Sequence, residues 1–410
     1  MVFPRRCPDQ AIADCTVAAM QIRTALLAVV GIVGLAAAGC SGPELDSAVF
    51  ADTPKVVLAP PQVNVLPGMP PPLDQGDVYA AARPGHLSEA MNGVRNLVYV
   101  PNSLDGTVSV IDPNTFKVVD AFPGGEEPQH VVPSYDLKTL YVTADKVPAG
   151  TLTPIDPKTG KPGTPLPIQD PYNLYFTPDG RSAIVVAEYY KRLDFYDPHT
   201  WQPQGQLHVP DCAGVNHMDF TADGKLALVT CEFANKMIVL DVAGRRPVRT
   251  FQLDRVPDGM PQDSRLAPDG RTFYVADMMA GGVYLFDGAA NQQIGFVPTG
   301  KGAHGIYFSR DSRRAFVANR GEGSVSVLDT TTHQPIGKWH IPGGGSPDMG
   351  GVSADGKQLW LSGRYHNEVY VFDTDTGQLL ARIRVGAGPH GLTYMPQPGR
   401  YSLGHTSNLR

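Results

Sequence analysis

Seven residues able to ligate metals, carry protons or hydrogen-bond recur at near-regular intervals along this 410-residue chain. They are His130, Asn173, His217, Asp263, His304, Asp348 and His390, each 41 to 46 residues after the one before. Their settings are alike, as in Pro128-Gln129-His130, Pro261-Gln262-Asp263 and Pro389-His390-Gly391. An imidazole titrates near neutral pH and offers a lone pair to transition metals, and a carboxylate offers harder oxygen ligands. Gathered in one place, these groups would form a small-ligand or metal site, with His130, His217, His304 and His390 as the candidate metal ligands. A plainer role competes: each imidazole could simply hydrogen-bond nearby backbone and tie down the strand it precedes. His86, 44 residues before His130, is a candidate eighth member.

A second series, Asp145, Glu188, Glu232, Asp277, Arg320 and Arg364, follows at similar intervals and ends at Thr406. Its acids come first and its two arginines last, so a face carrying all of them would be electrically lopsided. An anionic ligand group would prefer Arg320 and Arg364, with Glu232 on the opposing side. The alternative is an ordinary solvated rim, and His366 and His405 nearby read as isolated loop histidines. Catalytic signatures are missing: there is no Gly-x-Ser-x-Gly elbow, no phosphate-binding Gly-Lys loop and no His-Glu-x-x-His pair. No reaction is therefore expected.

These residues need a scaffold with a period of about 44. Gly (44) and Pro (38) make one residue in five, charged residues are 18% and hydrophobic ones 42%. That excludes a helical repeat and a disordered chain. Apolar runs ending in Asp recur at Asp112, Asp156, Asp197, Asp241, Asp287, Asp329 and Asp373. Asp-Gly turns fall between apolar runs at Asp179, Asp223, Asp269 and Asp355, a hairpin signal because Gly accepts positive φ. Each unit reads as four strands, A to D, with the chemically capable residue in the loop leading into strand A. Four strands in about 44 residues make one blade of an all-β propeller, and rotation about its axis gathers the recurring residues. The second strand recurs eight times and the outer two seven times. Lys55–Ala59 and Gln62–Leu66 could supply the missing outer pair, so eight blades, closed by both chain ends, are favoured over seven. With seven, Gly391–Met395 completes the first blade and the last ten residues form a tail. Across an eight-bladed hub, the separation of the histidines decides whether one ion could touch them.

Thr139-Leu140-Tyr141-Val142-Thr143-Ala144, Arg314-Ala315-Phe316-Val317-Ala318-Asn319 and Gly323-Ser324-Val325-Ser326-Val327-Leu328-Asp329 resemble the YVTN repeat. The resemblance spans roughly residues 95–395. It implies a propeller, usually of seven blades, in a superfamily with the haem d1 domain of nitrite reductases and the methylamine dehydrogenase heavy chain. It thereby raises a transition metal or haem-like cofactor on the histidine ring as an alternative to simple binding. The chain has no Cys-x-x-Cys-His haem attachment site.

Arg23 followed by the apolar run Ala25–Ala38 and Leu35-Ala36-Ala37-Ala38-Gly39-Cys40 reads as a signal peptide ending in a lipobox. The expected organisation is a signal over 1–39 (with Met20 a candidate start), lipidation at Cys40, a tether over 40–53 and one propeller over 54–410. The localisation expected is the outer surface of a bacterial cell membrane. Cys212 and Cys231 flank one hairpin in an oxidising compartment, as a disulfide, two thiols or a metal pair beside His217. The net charge of −6 and the absence of a basic run give no nucleic-acid footprint. The expected function is binding of a small ligand or an envelope protein partner at the channel mouth. A metal- or haem-dependent redox protein and a structural scaffold are the rivals.

Overall fold

Every Asp-terminated apolar run is the third strand of an antiparallel sheet. Its carboxylate caps the turn that follows: Asp112 accepts from the Asn114 N–H at 2.9 Å, and Asp373 from the Thr376 N–H at 2.7 Å. The Asp-Gly turns are tied by a preceding hydroxyl, as where Thr221 donates to Asp223 at 2.6 Å. Repetition of this unit yields seven sheets among the described residues, six of four strands and one of five.

The computed structural model describes residues 64–410, which belong to a compact unit beginning at Ala59. The signal segment, Cys40 and Lys55–Ala59 lie outside the described residues. Strand A is innermost in each blade. Blade 4, for example, orders Val215–Phe220, Leu226–Cys231, Lys236–Asp241 and Arg246–Gln252 from axis to rim. Strand B is buried on both faces in every blade, and apolar side chains fill the space between neighbouring blades. Tyr175 and Phe195 of blade 3 pack with Val215 and Phe220 of blade 4, and Trp360 of blade 7 packs with Val98 and Tyr394 of blade 1.

The ring has seven blades, which corrects the expectation of eight. Thr393–Met395 pairs with Leu97–Asn102 and supplies strand A of blade 1. Val65 and Leu66 form no strand: the Leu66 N–H bonds to the Asp223 carbonyl in a blade 4 turn. Residues 400–410 resemble a second strand because Tyr401, Leu403 and Leu409 are apolar, yet they enter the central channel instead. There the Phe176 N–H bonds to the Leu403 carbonyl and the His405 N–H to the Leu174 carbonyl. Gly404 sits at φ +96 with its Cα against the Leu174 backbone, where a Cβ would lie 2.3 Å from a carbonyl oxygen. Among the described residues no helix is long and apolar enough to cross a membrane.

Candidate metal and ligand site in the channel

Strand A begins at one end of the channel and strand B returns to it, so the loops before A and the turns after B share one face, the mouth. Residues 64–95 cross the opposite face, where Val78 N–H meets the Pro268 carbonyl and Ser312 meets Asp77. His86 is on that opposite face, exposed, with its carbonyl accepting from Gly399. It is not a member of the ring.

The other seven residues do converge. His130, His217, His304 and His390 are buried in the channel, and His405 from the tail inserts among them. Ring centroids are 4.6 Å apart for His217 and His405, 4.8 Å for His130 and His390, and 6.3 Å for His217 and His304. These are direct ring contacts. Burial holds all five imidazoles neutral: it pushes His130 down to about 3 and the other four well below their ordinary range, with neighbouring Arg or His charges adding to the effect. His405, expected to be an isolated loop histidine, is a full member of the cluster.

Two groups of three metal-capable side chains result, His130 with His217 and His405, and His304 with Asp348 and His390. Within each, the ligand atoms lie within 4.8 Å of one another. Hydrogen bonds assign the tautomers. Asn173 Oδ1 accepts from the Leu174 N–H at 2.8 Å, so its Nδ2 donates to Nδ1 of His217 at 3.1 Å and of His405 at 3.0 Å. Both rings therefore carry their hydrogen on Nε2, and His405 Nε2 faces Asp263 Oδ1 at 3.5 Å. His130 has the other tautomer, because Nδ1 donates to the Tyr172 carbonyl at 2.9 Å. In the second group, Gln129 donates from Nε2 to Asp145 and presents Oε1 to His390 Nδ1 at 3.0 Å. His390 Nε2 is then a lone pair, 3.7 Å from Asp348 Oδ2. His304 Nδ1 lies 3.1 Å from Asp348 Oδ1 without a hydrogen bond between them. Arg320 approaches both Asp348 oxygens at 3.4 Å.

Deeper in the channel, Asp263 pairs with Arg265 at 3.3 Å, and burial raises its carboxyl to about 6. Asp219 takes Asn408 at 2.9 Å and Arg410 at 3.0 Å. Neither Arg265 nor Arg410 belongs to the recurring series of the sequence.

At the mouth, Asp145, Glu188, Glu232, Arg320 and Arg364 are the first residues of their turns after strand B and are buried or half-buried. Asp277 differs: it ends strand B and caps its own turn, accepting from Met279 and Ala280 N–H groups. Thr406 lies inside the channel beside Tyr307. Glu232 accepts from Asn216 at 2.6 Å, and Arg364 donates to Ser103 at 3.1 Å. The acids surround Tyr172, whose hydroxyl is raised well above its usual range by burial, then by Glu188 and Glu232. The next residue of each turn points to solvent. Five are large and apolar: Leu104 (79% exposed), Tyr189 (60%), Phe233 (59%), Met279 (43%) and Tyr365 (43%). Cys212 and Cys231 are joined as a disulfide beside this face, Cα–Cα 4.8 Å, and so supply no thiolate ligands.

The YNCE-like β-propeller family matches residues 88–205 and 270–399, more than half of the chain. The chain belongs to that family. A 127-residue stretch is 34% identical to Protein NirF of Pseudomonas aeruginosa, covering 30% of this chain and 32% of NirF. The chain thus spans about a third of the length of that relative. Among solved structures, this YNCE-like propeller is similar to Kuenenia stuttgartiensis hydrazine synthase (TM-score 0.59, 17% identity, 72% of this chain and 96% of that one). It is also similar to dihydro-heme d1 dehydrogenase NirN in complex with DHE (TM-score 0.54, 16% identity, 76% and 77% covered). At such identities the likeness shows the fold alone.

Proposed function

We propose that this YNCE-like propeller is a lipid-anchored, extracytoplasmic binding protein whose mouth takes a flat, amphipathic, carboxylate-bearing ligand of the tetrapyrrole class. One observation carries the reading: equivalent turns of five blades display large apolar side chains around a charged floor. An apolar crown suits a macrocycle, and Arg320 and Arg364 suit its acidic side groups. NirN, a dihydro-heme d1 dehydrogenase of the same fold, supports the choice of class. The imidazoles do not fit as an internal cradle for the ring system, because they already touch one another and are at most 2% exposed. The ligand is therefore assigned to the outer mouth, and no reaction is assigned.

Titration of the purified protein with hemin, read by absorption and tryptophan quenching, tests this. Saturable one-to-one binding, weakened about tenfold by Arg364→Ala or by Tyr189→Ser/Phe233→Ser, is expected. Absence of saturable binding would end the reading. Anchoring is tested separately with Cys40→Ala, which should release the protein from membranes.

A further inference from the structure

The two histidine groups in the channel have opposite polarity. A cation placed among His130, His217 and His405 would meet two N–H groups, because Asn173 holds both Nδ1 atoms as acceptors. The other group is arranged differently. His390 turns an Nε2 lone pair toward the Asp348 carboxylate at 3.7 Å, two acceptors with no hydrogen between them. His304 Nδ1 and Asp348 Oδ1 are 3.1 Å apart without bonding. Ligands of a tetrahedral ion with bonds of about 2.0–2.1 Å stand about 3.3 Å from one another, so both separations are close to those of co-ligands.

We propose that His304, Asp348 and His390 form a binding site for a divalent first-row transition-metal ion. The surrounding contacts are those such sites use. A metal-bound imidazole normally donates its second nitrogen to a fixed acceptor, and a ligating carboxylate is itself held by a donor. His390 Nδ1 donates to Gln129 Oε1, which is locked in turn by Asp145. Arg320 reaches Asp348 from beside Met278 Sδ, 2.8 Å from its Nη2. Two nitrogens and one carboxylate suit zinc or iron(II) and leave a coordination position open. The inference stands independently of what the mouth binds.

The experiment is titration of chelator-treated, full-length protein with Co²⁺ and Zn²⁺, followed by the visible Co²⁺ bands and by metal analysis after gel filtration. One equivalent per chain is expected. Asp348→Asn and His390→Gln should each weaken uptake by about 100-fold or more, whereas the surface variant His208→Ala keeps it. Both test variants are checked for a native thermal transition, and either one that folds decides the matter. No stoichiometric uptake by the parent protein, or unchanged uptake by a folded variant, overturns the proposal.

Discussion

The two histidine groups share a channel, near-complete burial and similar spacing, yet one amide side chain beside each gives them different chemistry. Asn173 turns the His130–His217–His405 group inward, into a hydrogen-bonded plug that ties the tail to blades 3 and 4. Gln129, an amide too, presents oxygen rather than nitrogen to His390, and so frees a lone pair facing Asp348. Proximity of metal-capable residues is therefore a weak criterion by itself. Which ring nitrogen keeps its hydrogen decides, and the neighbour of the other nitrogen sets that.

The comparison can be broken most completely by changing Asn173. Asn173→Asp would accept hydrogen from Nδ1 of both His217 and His405 and release both Nε2 lone pairs. The expected outcome is a second equivalent of Zn²⁺ per chain by metal analysis; stoichiometry unchanged from the parent would show that tautomer does not separate the groups. Next in size is pH. The five imidazoles stay neutral in the folded protein while those of the unfolded chain protonate near 6.5. Stability is thus fully present well above pH 6.5 and falls as pH drops below it, by up to about 1.4 kcal/mol per pH unit for each histidine that stays neutral in the folded state. Asp263, raised to about 6, takes a proton in the folded state first and offsets one histidine between about 6 and 3.8. Urea unfolding at pH 7.5, 6 and 5 should show a steep loss, reduced in His405→Gln.

Asn173→Ala should cost about 2 kcal/mol, since it leaves the buried His405 Nδ1 and the Leu174 N–H without their Asn173 partner and His217 Nδ1 with only the Tyr175 hydroxyl at 3.3 Å. Thermal melts would register it, and metal uptake at His304–Asp348–His390 should be unchanged. Smallest is the crown: Tyr189→Ser, at an exposed position, should alter stability by under about 0.5 kcal/mol while weakening hemin binding.

The fold was legible because its markers are local. Asp373 and its equivalents cap their own turns, and Asp-Gly turns need only neighbouring residues. Blade number was harder, since Tyr401-Ser402-Leu403 alternates like a strand, and only its contacts with Leu174 and Phe176 reveal a plug. The six histidines and acids of the ring were readable from spacing. The grouping was not, because it depends on which way the amides of Asn173 and Gln129 face, and on His405, Arg265 and Arg410, which no period marks.

Blade 1 joins Thr393–Met395 to Leu97–Tyr99, across roughly 300 residues of chain. A contact of such high order forms late and slowly, after the intervening blades have collapsed. Until then the Leu97 strand presents an unpaired edge able to pair with another chain. A chain ending before residue 393 lacks this pairing, and its Leu97 strand is then an open edge in place of a closed ring.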